Sequence, residues 1–513
     1  MATATYANVF VNGNSATTSI SFNPFDQSEY SSFNASSSVN NCTYDSSNGR
    51  ITVGEDGNYL ILFAPIIDGD PGLGSNPNVK TTIKVDGTEV YSVSYNVFST
   101  YGRQERTSHK ILNISSGSYV EAFLEETDAG ADDIYSVQGT SIQVQRLYDD
   151  FGTFSLEGDN ALTTGTGEVF PFNTGSAPGS SSTLSSSFNG NISQAPSGGR
   201  LRTGDGGPAL FLNSSYFEGT VLNPTLELEY YKNGSSQWST NLRKNRNDDP
   251  TEGTTIALEN YSANDYVTLS VKGGVSANQR TNASSSMSLM NLPSDSHYSF
   301  VHVNTDSDSL NAFAYYNVLS SSIYSGNGYS VVSSSNGIIF DSDTGRFNVT
   351  RDGSYLMLTT NYVFASADLT IFPTFREDGN LITQANSGQD TSDDPGETTA
   401  MYVFPNVTSG SYLELAVAAS ARFTIEAGTA VAVIEMYSDA APTPSGPPTF
   451  NQGSASGLIS DDFTINTFSQ DNLSVQYDRS GTAQVPFILG QPGPLRIRNR
   501  SLAQVIKTGD KKN

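Results

Sequence analysis

An internal repeat constrains the fold of this chain more than any other feature of its sequence. Residues 48–62 align with residues 344–358 at a constant offset of 296 positions, through a shared Gly-Arg, an Asp-Gly and an apolar run that begins Tyr-Leu. A later motif contains Tyr119, Tyr266 and Tyr412, which are 147 and 146 residues apart. This regular spacing indicates three copies of one structural unit, of which the middle copy has diverged most.

Each unit has the pattern of short β-strands joined by tight turns. Apolar and polar residues alternate over runs such as 81–85 and 119–125, and Gly, Asp, Asn or Pro bounds each run. Three dipeptides accept the positive φ that a tight hairpin requires and lie between such runs: Asp86-Gly87, Asn233-Gly234 and Asp378-Gly379. No segment has the periodicity of an amphipathic helix. The sequence therefore predicts an all-β fold made of jelly-roll or immunoglobulin-like sandwiches.

Two motifs resemble the C1q/TNF-like jelly-roll family. Residues 340–347 read Phe-Asp-Ser-Asp-Thr-Gly-Arg-Phe and lead to a Gly-Ser-Tyr at 353–355, and residues 44–51 and 57–59 give a second example. Ser118 and Ser411 stand where that family usually has Asp in a later strand, whereas Asp265 keeps it. The resemblance covers the first and third copies better than the second. It implies three tandem ten-stranded jelly rolls, each of which buries one flank in a threefold bundle.

The connections between copies bear on how that bundle is built. About four residues separate the predicted end of one copy from the start of the next, which reach roughly 13 Å when fully extended. Such a connection can join the bases of two neighbouring domains in a bundle more easily than it can run from the base of one domain to the top of another. We therefore favour one chain that forms its own pseudo-trimer. The alternative is a homotrimer of chains in three stacked tiers.

The repeat and a change of composition near residue 439 define the predicted domains. Residues 439–448 are rich in Pro and Ala, as expected of an extended linker. The predicted segments are jelly roll 1 at 1–148, jelly roll 2 at 149–294, jelly roll 3 at 295–438, a Pro/Gly-rich linker at 439–456, and a small β or extended docking module with a basic tail at 457–513.

The charge of the chain is strongly asymmetric. Acidic residues outnumber basic ones by 52 to 26, and the formal charge of −26 argues against binding nucleic acid or an anionic membrane. No long apolar run and no signal peptide are visible, so neither a membrane span nor export is predicted. Residues 496–513 reverse the sign and supply candidate capsid-anchoring residues: Arg496, Arg498, Arg500, Lys507, Lys511 and Lys512.

Residues that carry most enzyme chemistry are scarce. Histidine occurs only at 109, 297 and 302, Cys42 is the single cysteine, and no HExxH, CxxC, phosphate-binding loop or GxSxG motif is present. We predict no catalytic residues and no enzyme activity. Acidic pairs could supply some of the oxygen ligands of Ca²⁺, and the candidates are Asp68 with Asp70 and Asp341 with Asp343. The competing interpretation is a set of solvated loops without a cofactor.

Aromatic residues suggest a second kind of site. Tyr230, Tyr231 and Trp238, together with Tyr315 and Tyr316, could stack on the sugars of a host surface glycan, since their rings offer a flat apolar face with a polar tip. The alternative is that they pack in the core or at the threefold axis.

These features predict a non-enzymatic virion structural protein of a bacterial or algal virus. The C-terminal segment would bind other capsid proteins, and the jelly rolls would project as a knob, decoration or fibre head. The alternative is a secreted or cell-surface C1q-like module that binds glycans or proteins outside the cell.

Overall fold

A computed structural model of the chain describes its fold over most of its first 436 residues and over two short later strands. The described residues are 5–13, 21–30, 35–69, 78–96, 104–105, 107–127, 134–147, 150–157, 160–162, 172, 184–195, 199–218, 225–243, 251–273, 279–281, 284–324, 331–365, 369–385, 387–389, 396–436, 482–484 and 499–501. Contacts divide the chain into one compact unit of residues 2–439 and a second of residues 440–513 with Met1.

The first group of strands forms a sandwich of two antiparallel sheets. Its strands are β1 (Tyr6–Val11), β2 (Ser21–Phe22), β3 (Ala35–Asn40), β4 (Cys42–Asp45), β5 (Arg50–Val53), β6 (Gly57–Ala64), β7 (Ile66–Gly69), β8 (Asn78–Val85), β9 (Thr88–Asn96), β10 (Gln104–Glu105), β11 (Ser108–Ile114), β12 (Tyr119–Glu126), β13 (Ile134–Ser136) and β14 (Ser141–Leu147). One sheet has the order β11-β6-β14-β1-β3 and the other the order β4-β5-β12-β8-β9, with β2 beside β12. A small third sheet, β10-β7-β13, and a 3₁₀ turn at Gln27–Glu29 complete it.

The second group of strands repeats this arrangement. Its strands are β15 (Phe151–Leu156), β16 (Asn160–Leu162), β17 (Leu184–Asn189), β18 (Ile192–Gln194), β19 (Leu201–Thr203), β20 (Gly207–Glu218), β21 (Thr225–Lys232), β22 (Ser235–Arg243), β23 (Thr251–Tyr261), β24 (Tyr266–Gly273), β25 (Gln279–Thr281) and β26 (Ser286–Asn291). Strand β20 pairs with β23 and β26, and β26 continues through β15 to β17, while β18-β19-β24-β21-β22 form the facing sheet.

The third group has the same order again. Its strands are β27 (Tyr298–Val303), β28 (Tyr316–Asn317), β29 (Val331–Asn336), β30 (Ile338–Asp341), β31 (Arg346–Val349), β32 (Gly353–Ala365), β33 (Leu369–Glu377), β34 (Asn380–Gln384), β35 (Ser387–Gln389), β36 (Gly396–Val407), β37 (Tyr412–Ala419), β38 (Phe423–Ile425) and β39 (Ala430–Met436). The sheets are β36-β32-β39-β27-β29 and β30-β31-β37-β33-β34, with a 3₁₀ turn at Ser321–Ile323.

These three groups, called here the first, second and third sandwich, confirm the predicted all-β class. The described part of the second compact unit contains two paired strands, β40 (Thr482–Gln484) and β41 (Asn499–Ser501). No helix among the described residues is long and apolar enough to cross a membrane. The domain boundaries at 148, 294 and 438 and the assignment of three tandem C1q-like copies stay predictions.

Each sandwich has an inner sheet whose central strands are buried on both faces and an outer sheet that is buried on one. The inner sheets are those that contain β6, β20 and β32. Every residue of β1, β15 and β27 is buried, whereas β5 and β31 of the outer sheets alternate between buried and partly exposed residues. Burial of both faces explains why the inner strands are nearly continuous apolar runs, as in residues 59–64.

The predicted hairpin turns are confirmed at equivalent places. Both residues of Asp86-Gly87, Asn233-Gly234 and Asp378-Gly379 have positive φ, between 50° and 79°. In each turn the side chain of the first residue accepts a hydrogen bond from the backbone N–H of the tyrosine that opens the neighbouring strand: Tyr119, Tyr266 and Tyr412. The same local contact therefore sets the register of β12, β24 and β37.

Two tyrosines mark matching positions in the first and third sandwiches. Tyr59 and Tyr355 are fully buried, and each hydroxyl donates to the backbone carbonyl four residues earlier, of Glu55 at 2.7 Å and of Arg351 at 2.8 Å. The two tyrosines, which the repeat aligns with each other, therefore occupy equivalent core positions.

We expect Tyr355→Asp to lower the melting temperature by several degrees or more, because an unpaired buried carboxylate costs several kcal/mol. Ile339→Asp is the control, since Ile339 is 60% exposed on strand β30 of the same sandwich and tolerates a charge. Thermal unfolding followed by circular dichroism distinguishes the two variants. Equal melting temperatures for both would contradict the strand register described here.

Candidate functional site

The boundary between the first and second sandwiches is a polar seam around a buried histidine. The ring of His109 contacts three serine hydroxyls of the second sandwich: Ser214 at 3.2 Å, Ser286 at 3.2 Å and Ser288 at 3.0 Å. Nearby, the Tyr216 hydroxyl donates to the carbonyl oxygen of Thr107 at 2.5 Å. Burial, with a smaller effect of Lys110, lowers the pKa of His109 to about 3, so the ring is neutral near pH 7.

The boundary between the second and third sandwiches contains an aromatic stack. Trp238 lies 4.2 Å from the ring of His302 and nearly parallel to it, and Tyr230 packs on Trp238 with ring centroids 5.5 Å apart. The Tyr362 hydroxyl donates to the carbonyl oxygen of Thr254, across the same boundary. Burial lowers the pKa of His302 to about 3.

This packing corrects the glycan prediction for the second sandwich. Tyr230 is fully buried and its hydroxyl bonds that of Tyr261 at 2.6 Å, while Tyr231 and Trp238 are 9% and 6% exposed. Their ring faces are covered by protein, so they cannot stack on a sugar in this structure. They belong to the core and to the sandwich boundary, which is the alternative considered from sequence.

The third sandwich also contacts the first. The ring of Phe10 meets Phe375 and Tyr402 edge to face, at 6.5 and 5.9 Å between centroids. Gly139, with φ of 106°, approaches Ala385 so closely that an added Cβ would lie 2.6 Å from the alanine Cβ. Each sandwich therefore packs against both of the others.

One hydrophobic cluster joins the inner sheets of all three sandwiches. It takes matching leucines from β6, β20 and β32: Leu60, Leu62, Leu210, Leu212, Leu356 and Leu358. At its edge lies a pocket of roughly 520 Å³, including solvent at its mouth, where the three sandwiches meet. Its lining combines apolar side chains such as Leu60, Leu210 and Ile434 with Arg146 and Glu435. The pKa of Glu435 is raised, chiefly by burial and against the effect of Arg351.

The described titratable residues are dispersed rather than gathered in a reactive group. His109 and His302 lie at two different boundaries, and His297 lies 3.8 Å from Glu435. Cys42 is buried, which raises the pKa of its thiol to about 12 and keeps it protonated. No three His, Cys, Asp or Glu side chains in the described part of the chain are arranged to hold a metal ion.

The candidate calcium ligands are only partly described. Asp341 accepts hydrogen bonds from the Thr344 hydroxyl and the backbone N–H of Asp343, and the Thr344 bond is the chief reason that the pKa of Asp341 is lowered. Its carboxylate therefore stabilises the turn between β30 and β31. Asp68 lies in β7, and Asp70 lies outside the described residues. The calcium prediction stays untested.

The candidate anchoring residues fall almost entirely outside the described residues. Arg500 lies in β41, where its backbone pairs with Ala483. Arg496, Arg498, Lys507, Lys511 and Lys512 are not among the described positions. Their role stays a prediction.

An exposed aromatic patch on the third sandwich was not predicted as a whole. Phe313 is 73% exposed, although the sequence places it near apolar runs, and Tyr315 beside it is 44% exposed. Phe313 has φ of 57°, which a bulky residue rarely adopts, and its N–H donates to the carbonyl oxygen of Ala419. The bond holds this backbone against the end of β37, with the ring in solvent.

Two arginines contact residues of the segment 311–315. The guanidinium of Arg376 lies 5.1 Å from the ring centroid of Tyr315, and the Tyr315 hydroxyl donates to Gln384 Oε1 at 3.2 Å. Arg422 reaches Asn311 Oδ1 at 3.4 Å. We call Phe313, Tyr315, Arg376 and Arg422 the aromatic–arginine patch.

Sequence reasoning named Tyr315 but missed the other members of the patch. The repeat contains a signal for the patch. Asn23 contacts Gly49 as Asn317 contacts Gly345, so these two pairs align the first and third copies. In that alignment, Ser21 of the first copy occupies the position that Tyr315 has in the third copy. An aromatic residue in one copy at a position that is polar in another points to a local function rather than to the shared fold.

No family model matches the chain, and no curated protein matches it. Among solved structures, the TNF protein Eiger from S. frugiperda is 14% identical, with 29% of this chain aligned to 98% of its own and a TM-score of 0.21. A structure of the triple jelly roll fold and turret assembly in an archaeal virus is 11% identical over 82% of this chain and 96% of its own, with a TM-score of 0.17. PNGF-II is 8% identical over 84% and 99%, with a TM-score of 0.24.

A TNF protein and jelly-roll proteins of a virus are thus among the structures to which this chain is similar. With identities of 14% or less and such low TM-scores, these likenesses assign no functional residue and carry no argument about function.

The buried histidines predict a stability that falls on acidification. The pKa values of His109 and His302 are lowered from 6.5 to about 3. Their contribution to the free energy of unfolding is therefore complete above pH 6.5 and is lost progressively as the pH falls towards 3. Well below pH 6.5, each histidine lowers the free energy of unfolding by up to about 1.4 kcal/mol for each pH unit of acidification. Urea unfolding at pH 7, 6 and 5 measures this slope while most carboxylates stay ionised.

His302→Gln should flatten that slope relative to the parent chain, whatever its effect on stability at pH 7. Removing a group that only the unfolded chain protonates removes its share of the pH dependence. An unchanged slope between pH 6 and pH 5 would contradict the buried, neutral state of His302.

Proposed function

We propose that this chain is a non-enzymatic structural protein of a virion, from a bacterial or algal virus. The C-terminal segment attaches it to other capsid proteins, and the sandwiches project outward as a knob, decoration or fibre head. The observation that carries the proposal is the charge reversal along the chain. Residues 496–513 carry six basic side chains against Asp510, whereas the whole chain has a formal charge of −26.

The packing of the sandwiches supports a mechanical role. A body that buries one hydrophobic cluster across three sandwiches resists the relative movement of its parts. Some of the buried polar groups at the boundaries are hydrogen-bonded between sandwiches, as in the contacts of His109 with Ser288 and of Tyr362 with Thr254. Such contacts suit a rigid component of a particle, and the dispersed histidines and the protonated Cys42 suit a protein without catalytic chemistry.

We further propose that one chain supplies all three sandwiches of the bundle. The contacts of each sandwich with both others close a ring within residues 2–439, and the central strands of every inner sheet are covered on both faces. In a homotrimer of stacked tiers, the matching surfaces would instead face other chains.

A secreted or cell-surface C1q-like binding module is the second candidate. The aromatic–arginine patch favours it, because exposed rings beside arginines are typical of recognition surfaces. Such a module would act outside the cell and would not need the basic segment for attachment.

Light scattering of the purified chain tests the bundle proposal. We expect a mass near the 54.7 kDa of one chain, because the inner sheets are already covered within it. A mass three times larger would overturn the single-chain bundle and favour stacked homotrimeric tiers.

Replacing the six basic residues of 496–513 with Gln tests attachment. We expect the variant to keep the melting temperature of the sandwiches and to lose co-sedimentation with capsid shells at physiological salt, since the attraction is electrostatic. A control in which Ser501, Gln504 and Thr508 are replaced with Ala leaves the charge unchanged and should still attach. Full attachment of the uncharged variant would overturn the anchoring role.

A further inference from the structure

We propose that the aromatic–arginine patch is a binding site for an acidic polysaccharide, with a sugar ring on Phe313 and its carboxylates on Arg376 and Arg422. The proposal does not rest on the virion assignment. It applies equally to a particle that meets a host surface and to a secreted binding module.

The exposure of Phe313 is the first observation. A phenylalanine that is 73% exposed gains little from burial, and a positive φ is unfavourable for its side chain. Its backbone is nevertheless fixed by the hydrogen bond to Ala419. A ring that is held outward at a conformational cost gains stabilisation once a ligand covers it.

The unpaired state of Arg376 is the second observation. Its Nε is buried and has no hydrogen-bond partner among the described residues. The neighbour of Arg376 across the sheet is Glu414, but that carboxylate binds Arg346 at 2.8 Å. Arg376 is therefore left with the Tyr315 ring as its described contact, although the chain has twice as many acidic as basic residues.

The first sandwich provides a comparison for this position. There Lys84 lies across the sheet from Glu121, which binds Arg50 at 2.9 Å, and Lys84 rests on the ring of Phe123. The pairing with the glutamate is the same, but Lys84 also lies opposite Glu89, where Arg376 has Leu381. Ser21 takes the place of Tyr315, however, so the first sandwich has the cation without the exposed aromatic surface.

The chemistry of the patch fits an acidic sugar better than the other anions. A pyranose ring has an apolar face that packs on an exposed phenyl ring, and a uronic acid carboxylate matches the planar guanidinium of arginine. The amides of Asn311 and Gln384 lie beside the arginine and the tyrosine hydroxyl, where sugar hydroxyls need partners. A peptide made only of acidic residues would satisfy the charge but not cover the ring, and a neutral sugar would leave both guanidinium groups without a counter-ion.

Titration of the full chain with oligogalacturonate, by calorimetry at physiological salt, tests the proposal. Neutral dextran and poly-glutamate of similar length are the comparison probes. We expect oligogalacturonate to bind more tightly than either one. We also expect the affinity to weaken as salt rises, because part of the attraction is electrostatic.

Phe313→Ala and Arg376→Gln should each weaken oligogalacturonate binding by about tenfold or more, the loss expected for one good contact to a charged group or ring. Ile339→Ala is the control for Phe313, as an exposed apolar residue elsewhere on the third sandwich. Lys84→Gln is the control for Arg376, as the matching cation of the first sandwich. Both controls should bind like the parent chain.

Three results would overturn the proposal. These are the absence of oligogalacturonate binding, equal losses in the Lys84→Gln and Arg376→Gln variants, and binding of poly-glutamate as tight as that of oligogalacturonate. The last result would instead identify a docking site for an acidic protein. Circular dichroism of each variant verifies that a loss of binding is not a loss of folding.

Discussion

The burial of both faces of each inner sheet is the constraint on which the rest of this structure depends. One face closes the sandwich over its own core, and the other packs against the neighbouring sandwiches through the leucines of β6, β20 and β32. A sheet with two apolar faces is unstable in water without a cover on each. The three sandwiches therefore stabilise one another. A substitution at one boundary affects the packing of a cluster that includes residues of all three.

The polar groups trapped by this packing explain the unusual histidines. His109 is surrounded by serine hydroxyls and His302 is stacked on Trp238, so each occupies space at a boundary without carrying charge. Neutral imidazole is favoured because burial disfavours the charged form. Histidine is a common catalytic residue, but here His109 and His302 pack as neutral side chains between the sandwiches.

Local patterns in the sequence were enough to predict the strand class and the three hairpins, and to align Tyr59 with Tyr355. These features depend on contacts within a few residues or on a repeat that can be compared with itself. Tyr230 and Trp238 show the limit of that reasoning. Alternation along β21 and β22 separates two faces, but only the position of the third sandwich decides that Trp238 lies under His302. The exposure of Phe313 could not be predicted for another reason. The residues around it in the sequence give no indication that a bulky residue adopts a positive φ.

The divergence of the copies has a consequence for valency. An aromatic residue and an asparagine recur at 22–23, 172–173 and 316–317, and the residues before them are Ser21, Pro171 and Tyr315. Three identical subunits would display three equal surfaces around their axis, whereas this chain places Tyr315 on one flank. A repeating ligand would then meet one contact per chain. Strong retention would have to come from many chains arrayed side by side, with a spacing set by whatever holds them.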